Sequence, residues 1–470
     1  MFKSRVLAAA AVALATTGAA HAAGSDPTEP SFRALYKELV ETNTTLSQGD
    51  CTLAAERMAK RLQAAGYTDA DIHLFAGPDH PKEGGLVAVL HGRDPKAKGV
   101  LLLAHIDVVE AKRQDWTRDP FTLIEEDGYF YARGVSDDKA MAASFTDAMI
   151  RYKQEGFRPR HDIKLALTCG EESSGAFNGA DWLVKNHKDW IDAEFALNEG
   201  AGGMLDGSGK RVYLAIQAGE KVYQDFRIET TNPGGHSSRP VPSNAIYQLA
   251  AALGRLSKSD FPVQMNDTTK AYFARTASLI GGERGEAMAA LAKDPTNAAA
   301  EAIVSRDPSW HSMLRTTCVA TLLDGGHAPN ALPQRAGANI NCRIFPGVSV
   351  QAVKAELERV IADPGVKVTL SGEISPTPPP PPLSPRVMGP AEAVAKAMWP
   401  GVPLIPTLST GATDGRYLNA GGVPTYGLSG MFSEPASSGV HGLNERILVR
   451  SLMEGRDYLY RVVKLYADAK

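Results

Sequence analysis

The chain has 470 residues, more than one hydrophobic core usually holds, so two domains are expected. With 43% hydrophobic and 22% charged residues it has the composition of a globular protein, which excludes a disordered chain. A formal net charge of −3 with no basic stripe excludes nucleic acid as a partner.

In chain order, "MFKSRVLAAAAVALATTGAAHAAGSD" comes first, with a basic start (Lys3, Arg5), an apolar stretch and small residues around Ala20-His21-Ala22. It reads as a secretory signal peptide, residues 1–22, cut after Ala22 or Ala23, and the mature protein is expected to be exported, periplasmic or secreted. Cleavage removes Lys3 and Arg5 and takes the net charge from −3 to −5. The apolar run is too short and too rich in alanine for a membrane anchor, and none is expected elsewhere.

Helices are predicted over Phe32 to Glu41 and Cys51 to Ala65, and strands over Leu86 to Leu90 and Val100 to Ile106. After them come a helix over Asp137 to Tyr152, an apolar strand ending before Glu171, a helix near Ala180 to Lys185 and the strand of "AEFALNEG". Apolar strands separated by helices mean an α/β fold with a mostly parallel sheet covered on both faces. From residue 219 the pattern changes. "KVYQDFRIETT" alternates, residues 243–257 and 350–362 read as helices, and "MLRTTCVATLLDGG" and "AGANINCRIF" read as strands, which predicts a smaller antiparallel α+β module. Within it, residues 268–312 read as a helical insertion. "SPTPPPPPLSP" is a stiff connector, and beyond it helix (390–399), strand (402–407), helix (414–419) and strand (423–426) restore the α/β pattern. The expected organisation is one domain from 32–218 and 376–470, interrupted by a module at 219–375.

Ionisable residues gather where these strands end, the place at which open α/β sheets present ligands. "LLLAHIDVVE" offers His105 and Asp107, one residue apart and pointing the same way from an extended chain. "ARGVSDDKA" offers Asp137 and Asp138, "LTCGEESSG" Glu171 and Glu172, "ALNEG" Glu199 and "SSGVHGLNE" His441. Singly, each has another reading: a hydrogen-bonded structural histidine, a helix N-cap, a solvated turn. Together they supply nitrogen and oxygen ligands for two divalent ions with one carboxylate between them, plus a spare carboxylate to take a proton.

The order and spelling of these motifs resemble the dizinc metallopeptidases that include aminoacylase-1, carnosinase, glutamate carboxypeptidase and succinyl-diaminopimelate desuccinylase. The resemblance implies His105, Asp137, Glu172, Glu199 and His441 as metal ligands. Asp137 is then the bridge, because it stands two residues before Lys139. It implies Asp107 as the residue orienting His105, and Glu171 as the general base. In "NPGGHSSRP" it implies His236 as an oxyanion-stabilising histidine, and in "HAPNALPQ", "NCRIFP" and "GATDGRYL" Asn330, Arg343 and Arg416 as substrate contacts. An arginine fork suits a substrate carboxylate. The architecture implied is a zinc-peptidase catalytic domain interrupted by a lid that can form a homodimer. The cofactor implied is two Zn2+, with Co2+ or Mn2+ compatible with the same ligands.

The expected activity is metal-dependent hydrolysis of an amide bond next to a free carboxylate, in a small peptide (carboxypeptidase or dipeptidase) or an N-acyl amino acid (aminoacylase). A non-catalytic binding protein of the same fold would not need the complete ligand set, and a serine hydrolase lacks its G-x-S-x-G elbow. Four cysteines follow the signal peptide, too few for a disulfide scaffold in a chain of this length. If the strands around them form a hairpin centred near Gly326 to Pro333, Cys318 and Cys342 fall opposite each other and can be bonded. Cys169 is expected to have a buried packing role.

Overall fold

The computed structural model describes residues 26–173, 177–435 and 438–469; the expected signal peptide lies outside the described residues. Val100–His105 and Ile163–Thr168 are buried at every position, as strands covered on both faces must be. They belong to a ten-stranded sheet that is parallel across Ile163–Thr168, Val100–His105, Phe195–Asn198 and Thr425–Gly427. Antiparallel pairings extend it on one side through His80–Leu90 to Ile72–Gly77. On the other side, Arg211–Glu220 takes Leu404–Ser409 as a parallel neighbour and Gly203–Leu205 as an antiparallel one. This is a mixed α/β fold with a mostly parallel core. The helices Lys139–Gln154 and Val449–Asp468 close one face through Phe145, Met149, Tyr458 and Val462, and Gly179–Asn186 and Gly415–Ala420 close the other through Leu183 and Leu418.

A second, four-stranded antiparallel sheet runs Thr317–Gly325, Arg335–Ile344, Val222–Thr231, Val366–Ser371. Its apolar side packs Phe226, Ile228, Ile340 and Ile344 under the helices Ala245–Leu256 and Val350–Ile361. The helical stretch expected at 268–312 forms four helices, Asp267–Ile280, Gly282–Lys293, Ala298–Val304 and Pro308–Met313. These lie inside the α+β module in sequence but pack against the ten-stranded sheet. Phe273 and Met288 share a core with Leu408, Thr268 Oγ1 donates to the Ala218 carbonyl, and Arg275 Nη1 donates to the Leu404 carbonyl. The edge strand Thr317–Gly325 is therefore left uncovered, with Val319, Leu322 and Leu323 exposed.

Two expectations are corrected. The helix expected from residue 390 begins five residues earlier, at Pro385. Proline suits that first helical position because its ring presets φ and its missing N–H has no helical partner there, so Pro390 falls inside the helix instead of opening it. Cys169 is not a free packing residue. It is bonded to Cys51, as Cys318 is to Cys342, so among the described residues no cysteine is free. Cys318 and Cys342 are direct partners in the antiparallel register, as the hairpin geometry predicts.

Candidate active site

Parallel pairing aligns the strand ends that carry the candidate ligands. His105 ends its strand opposite Thr168, and Asn198 ends the next one opposite Gly427, so Glu171, Glu172 and Glu199 emerge along the same edge of the sheet. His105 is buried beneath this edge. Its Nε2 lies 3.0 Å from Asp137 Oδ1 and 3.7 Å from Glu199 Oε1. From the opposite side, His441 Nε2 lies 3.1 Å from Asp137 Oδ2 and 2.9 Å from Glu172 Oε1. One aspartate thus meets a different histidine with each oxygen. The five residues fall into two compact sets, His105–Asp137–Glu199 and His441–Glu172–Asp137, with Asp137 common to both. These donors fit two borderline divalent ions: each set holds one imidazole and two carboxylates, the three-ligand count of an open zinc site.

The electrostatics of the cluster follow from burial and crowding. Burial would lower the His105 pKa, but Glu199 and the hydrogen bonds the ring donates to Asp107 and Asp137 outweigh it and hold the ring well above its ordinary value. Burial would raise Asp137, but hydrogen bonds to the two histidines hold it well below the usual carboxylate range. Glu172 is pushed up to about 7, chiefly by burial, with Asp137 and Asp107 adding to it. Glu199 is raised well above its ordinary value, again chiefly by burial. Four carboxylates kept this close without full compensation attract cations.

Glu171 sits beside the cluster, and both Asp137-centred sets are complete without it. Its strand ends at Thr168, and Gly170 turns the chain with φ +96°, where a Cβ would stand 1.8 Å from the Phe177 carbonyl. That turn lets both glutamates serve one site, because neighbouring residues of a continued strand would face opposite ways. Asp107 secures it: its carboxylate accepts from the backbone N–H of Glu172 at 3.0 Å and of Glu171 at 3.4 Å. The shortest contact of His105 Nδ1 is the Asp107 carbonyl at 3.1 Å, with the Asp107 carboxylate at 3.6 Å. Asp107 therefore orients the glutamate turn as well as the histidine.

Several residues in this neighbourhood escape the sequence reading. Glu445, fully buried, accepts from Arg133 Nη1 at 2.8 Å and from the backbone N–H of Gly134, Ser136 and Asp137, fixing the turn that presents Asp137. It stands in "SSGVHGLNE", where His441 alone draws notice. Asp414 accepts from Asn178 Nδ2 and Thr168 Oγ1 beneath Glu171. Because Glu445→Ala leaves the Arg133 guanidinium buried and unpaired, it is expected to cost about 3–5 kcal/mol of stability. Urea unfolding checks this, and a loss below about 1 kcal/mol would mean that Arg133 finds water or another partner.

The remaining candidates lie elsewhere. His236 and Asn330 meet on a two-stranded ribbon of the smaller module, where His236 pairs with Ala331 and the Ser237 N–H donates to the Asn330 carbonyl at 3.0 Å. Among the described residues His236 Nδ1 bonds to Ser238 alone, and the ring makes no bond to the cluster. Arg343 and Arg416 lie close together. Burial and the nearby Arg416 charge hold Arg343 below its ordinary value, against the opposing pull of Tyr223. Among the described residues neither arginine forms an ion pair within 4 Å, although Asp225 attracts Arg343 and Glu220 and Asp414 attract Arg416, and Arg416 Nε is buried without a hydrogen bond. On the Glu199 side of the cluster a cavity of about 330 Å³ opens, lined by Met141, Met431, Phe432, Val440, Ile447 and Leu448 as well as by Asp137 and Glu199.

A family model, Peptidase family M20/M25/M40, matches residues 101–465. The N-fatty-acyl-amino acid synthase/hydrolase of Mus musculus is 26% identical over 387 residues, covering 80% of this chain and 75% of that protein. Aminoacylase-1 of Mus musculus is 26% identical over 375 residues, covering 78% and 79%. Among solved structures, an M20 family metallo-carboxypeptidase from Sulfolobus solfataricus superposes with a TM-score of 0.69 at 20% identity, over 93% of this chain and 99% of that one.

Proposed function

The chain belongs to peptidase family M20/M25/M40, hydrolases of metallopeptidase and amidohydrolase type, and from that premise we propose that it is an exported two-metal hydrolase of amide bonds adjacent to a free carboxylate, acting as a carboxypeptidase or dipeptidase. The observation that carries this reading is the pair of ligand sets sharing Asp137, complete without Glu171, which lies beside them and also groups with His105 and Glu172. Two divalent ions held there would polarise the scissile carbonyl and acidify the attacking water. Glu171 takes the proton from that water and returns it to the leaving amine. Arg343 and Arg416, neither tied into an ion pair, receive the substrate carboxylate. His236 approaches the oxyanion from the lid. Two disulfides suit an oxidising compartment and support export.

A second reading, an N-acyl-amino-acid amidohydrolase, is favoured by the apolar wall that Met141, Met431, Phe432, Val440, Ile447 and Leu448 give the 330 Å³ cavity, which Asp138, Glu434 and Arg446 also line. One panel tests both: zinc-loaded protein offered dipeptides, N-acyl amino acids of increasing acyl length, and the carboxamides of each. Amidating the carboxylate is expected to lower kcat/KM about 10²-fold, the loss that accompanies an unpaired buried charge. Equal turnover of acids and amides would remove the carboxylate from the proposal. A kcat/KM that climbs with acyl length selects the second reading, and faster cleavage of dipeptides selects the first.

A further inference from the structure

The geometry points to the Cys51–Cys169 disulfide as the brace that positions Glu171 and Glu172, an inference resting on the reading of these residues as base and ligand. Cys169 directly follows the strand Ile163–Thr168 and precedes Gly170 and the two glutamates. Cys51 opens the helix Cys51–Ala64, which Asp50 caps by accepting from the Leu53 N–H. The two cysteines are 118 residues apart in sequence, their Cα atoms are 6.1 Å apart, and both are buried.

The segment leading into Cys51 is itself bound to the rest of the site. Thr44 Oγ1 donates to the Ile106 carbonyl at 2.6 Å, and the Thr44 carbonyl accepts from the Val108 N–H, which places this segment against the turn holding His105 and Asp107. The Thr42 carbonyl accepts from Lys139 Nζ at 2.8 Å, two residues after Asp137. Three ligand-bearing turns therefore converge on residues 42–51, and the disulfide is the covalent link from that segment to the third.

Packing constrains the turn on one side only, where Gly170 abuts the Phe177 carbonyl. Behind the glutamate turn is a cavity of about 270 Å³, bordered by Thr44, Cys51, His80, Asp107, Cys169 and Gly170. Among the described residues no side chain fills this space, and on that side the turn is held by the Asp107 carboxylate, by the Gly170 and Cys169 carbonyls bonded to Asn178 and Gly179, and by the disulfide. Closing so long a loop lowers the entropy of the unfolded chain, and in the folded state the bond ties the residue before Gly170 to the start of the helix Cys51–Ala64. Cys51 and Cys169 are positioning residues: neither reaches the substrate.

The other disulfide supplies the control, since Cys318–Cys342 joins two strands of the smaller sheet. C51A/C169A and C318A/C342A are compared with wild type in full-length protein by melting temperature, by zinc affinity in chelator competition, and by kcat and KM separately. Both pairs are expected to melt earlier. C51A/C169A alone is expected to lose about 10²-fold in kcat at little-changed KM, the scale of a misplaced reacting group, and about tenfold in zinc affinity. Where the alanine pair does not fold, Cys51→Ala with Cys169→Val restores the lost volume without the bond. If C51A/C169A matches wild type in kcat and zinc affinity, or the control loses as much, the brace is overturned while the roles of the glutamates stand. Wild type that neither binds zinc nor hydrolyses the panel overturns those roles and the brace with them.

Discussion

Glu171→Gln is expected to lower kcat by about 10²–10⁴-fold, the range general-base catalysis contributes, while both metal sites fill as in wild type. Glutamine keeps the size and the hydrogen-bonding face of the side chain but cannot accept a proton. The two ligand sets around Asp137 do not need Glu171, so metal content measured by elemental analysis should not change. The pH dependence follows from its environment. Burial pushes the Glu171 carboxyl up to about 8, with Asp414, Glu172 and Asp107 adding to it and His105 opposing. A base works deprotonated, so kcat/KM rises with pH up to this ionisation and levels off above it. Cations in the neighbouring sets stabilise the carboxylate and move the limb below about 8. In Glu171→Gln this limb disappears together with the rate. Near-wild-type turnover in a variant carrying its full metal complement would end the assignment of Glu171 as the base.

The ligands are legible in the sequence because parallel strands buried on both faces are written as unbroken apolar runs, and their ends are marked by the first ionisable residue. "LLLAH", "KLALTCGEE" and "FALNE" each show this edge, and the sheet aligns them. Residues that support the site from a distance leave no such mark. Glu445 holds the turn before Asp137 from 308 positions away, and Asp414 meets Asn178 from 236. Nothing local to "LNER" or "ATDG" distinguishes a buried acceptor from a surface acid. Cysteine pairing divides on the same principle. Cys318 and Cys342 can be matched because a hairpin fixes register from local sequence, whereas Cys51 and Cys169 are separated by two α-helices and four strands of the ten-stranded sheet, which must assemble before they meet. The helices at 268–312 are legible as helices, but their docking partner, Leu404–Ser409, lies far along the chain and has no signature within them.

Asp137→Ala is expected to take activity to the uncatalysed background, a larger loss than any change to the base alone, because it weakens both metal sites at once. Each set keeps only one imidazole and one carboxylate, His105 with Glu199 and His441 with Glu172, one ligand short of the three that hold an open zinc site. The same substitution removes the acceptor that meets both histidines, at 3.0 and 3.1 Å, and that keeps both rings inclined to stay charged. A protonated imidazole cannot ligate, so without cations Asp137 favours His⁺, and with them it favours the metal. Metal content is the direct readout: about two equivalents per chain in wild type on the two-ion reading, and fewer than one in Asp137→Ala at the same free zinc concentration. Dialysing wild type against a chelator should reproduce the inactive state without mutation, and restoring zinc or cobalt should reverse it, while Asp137→Ala stays inactive at any concentration of either ion. Retention of two tightly bound equivalents by the variant would mean that other carboxylates of this crowded edge, Asp138 first among them, can take over the bridge.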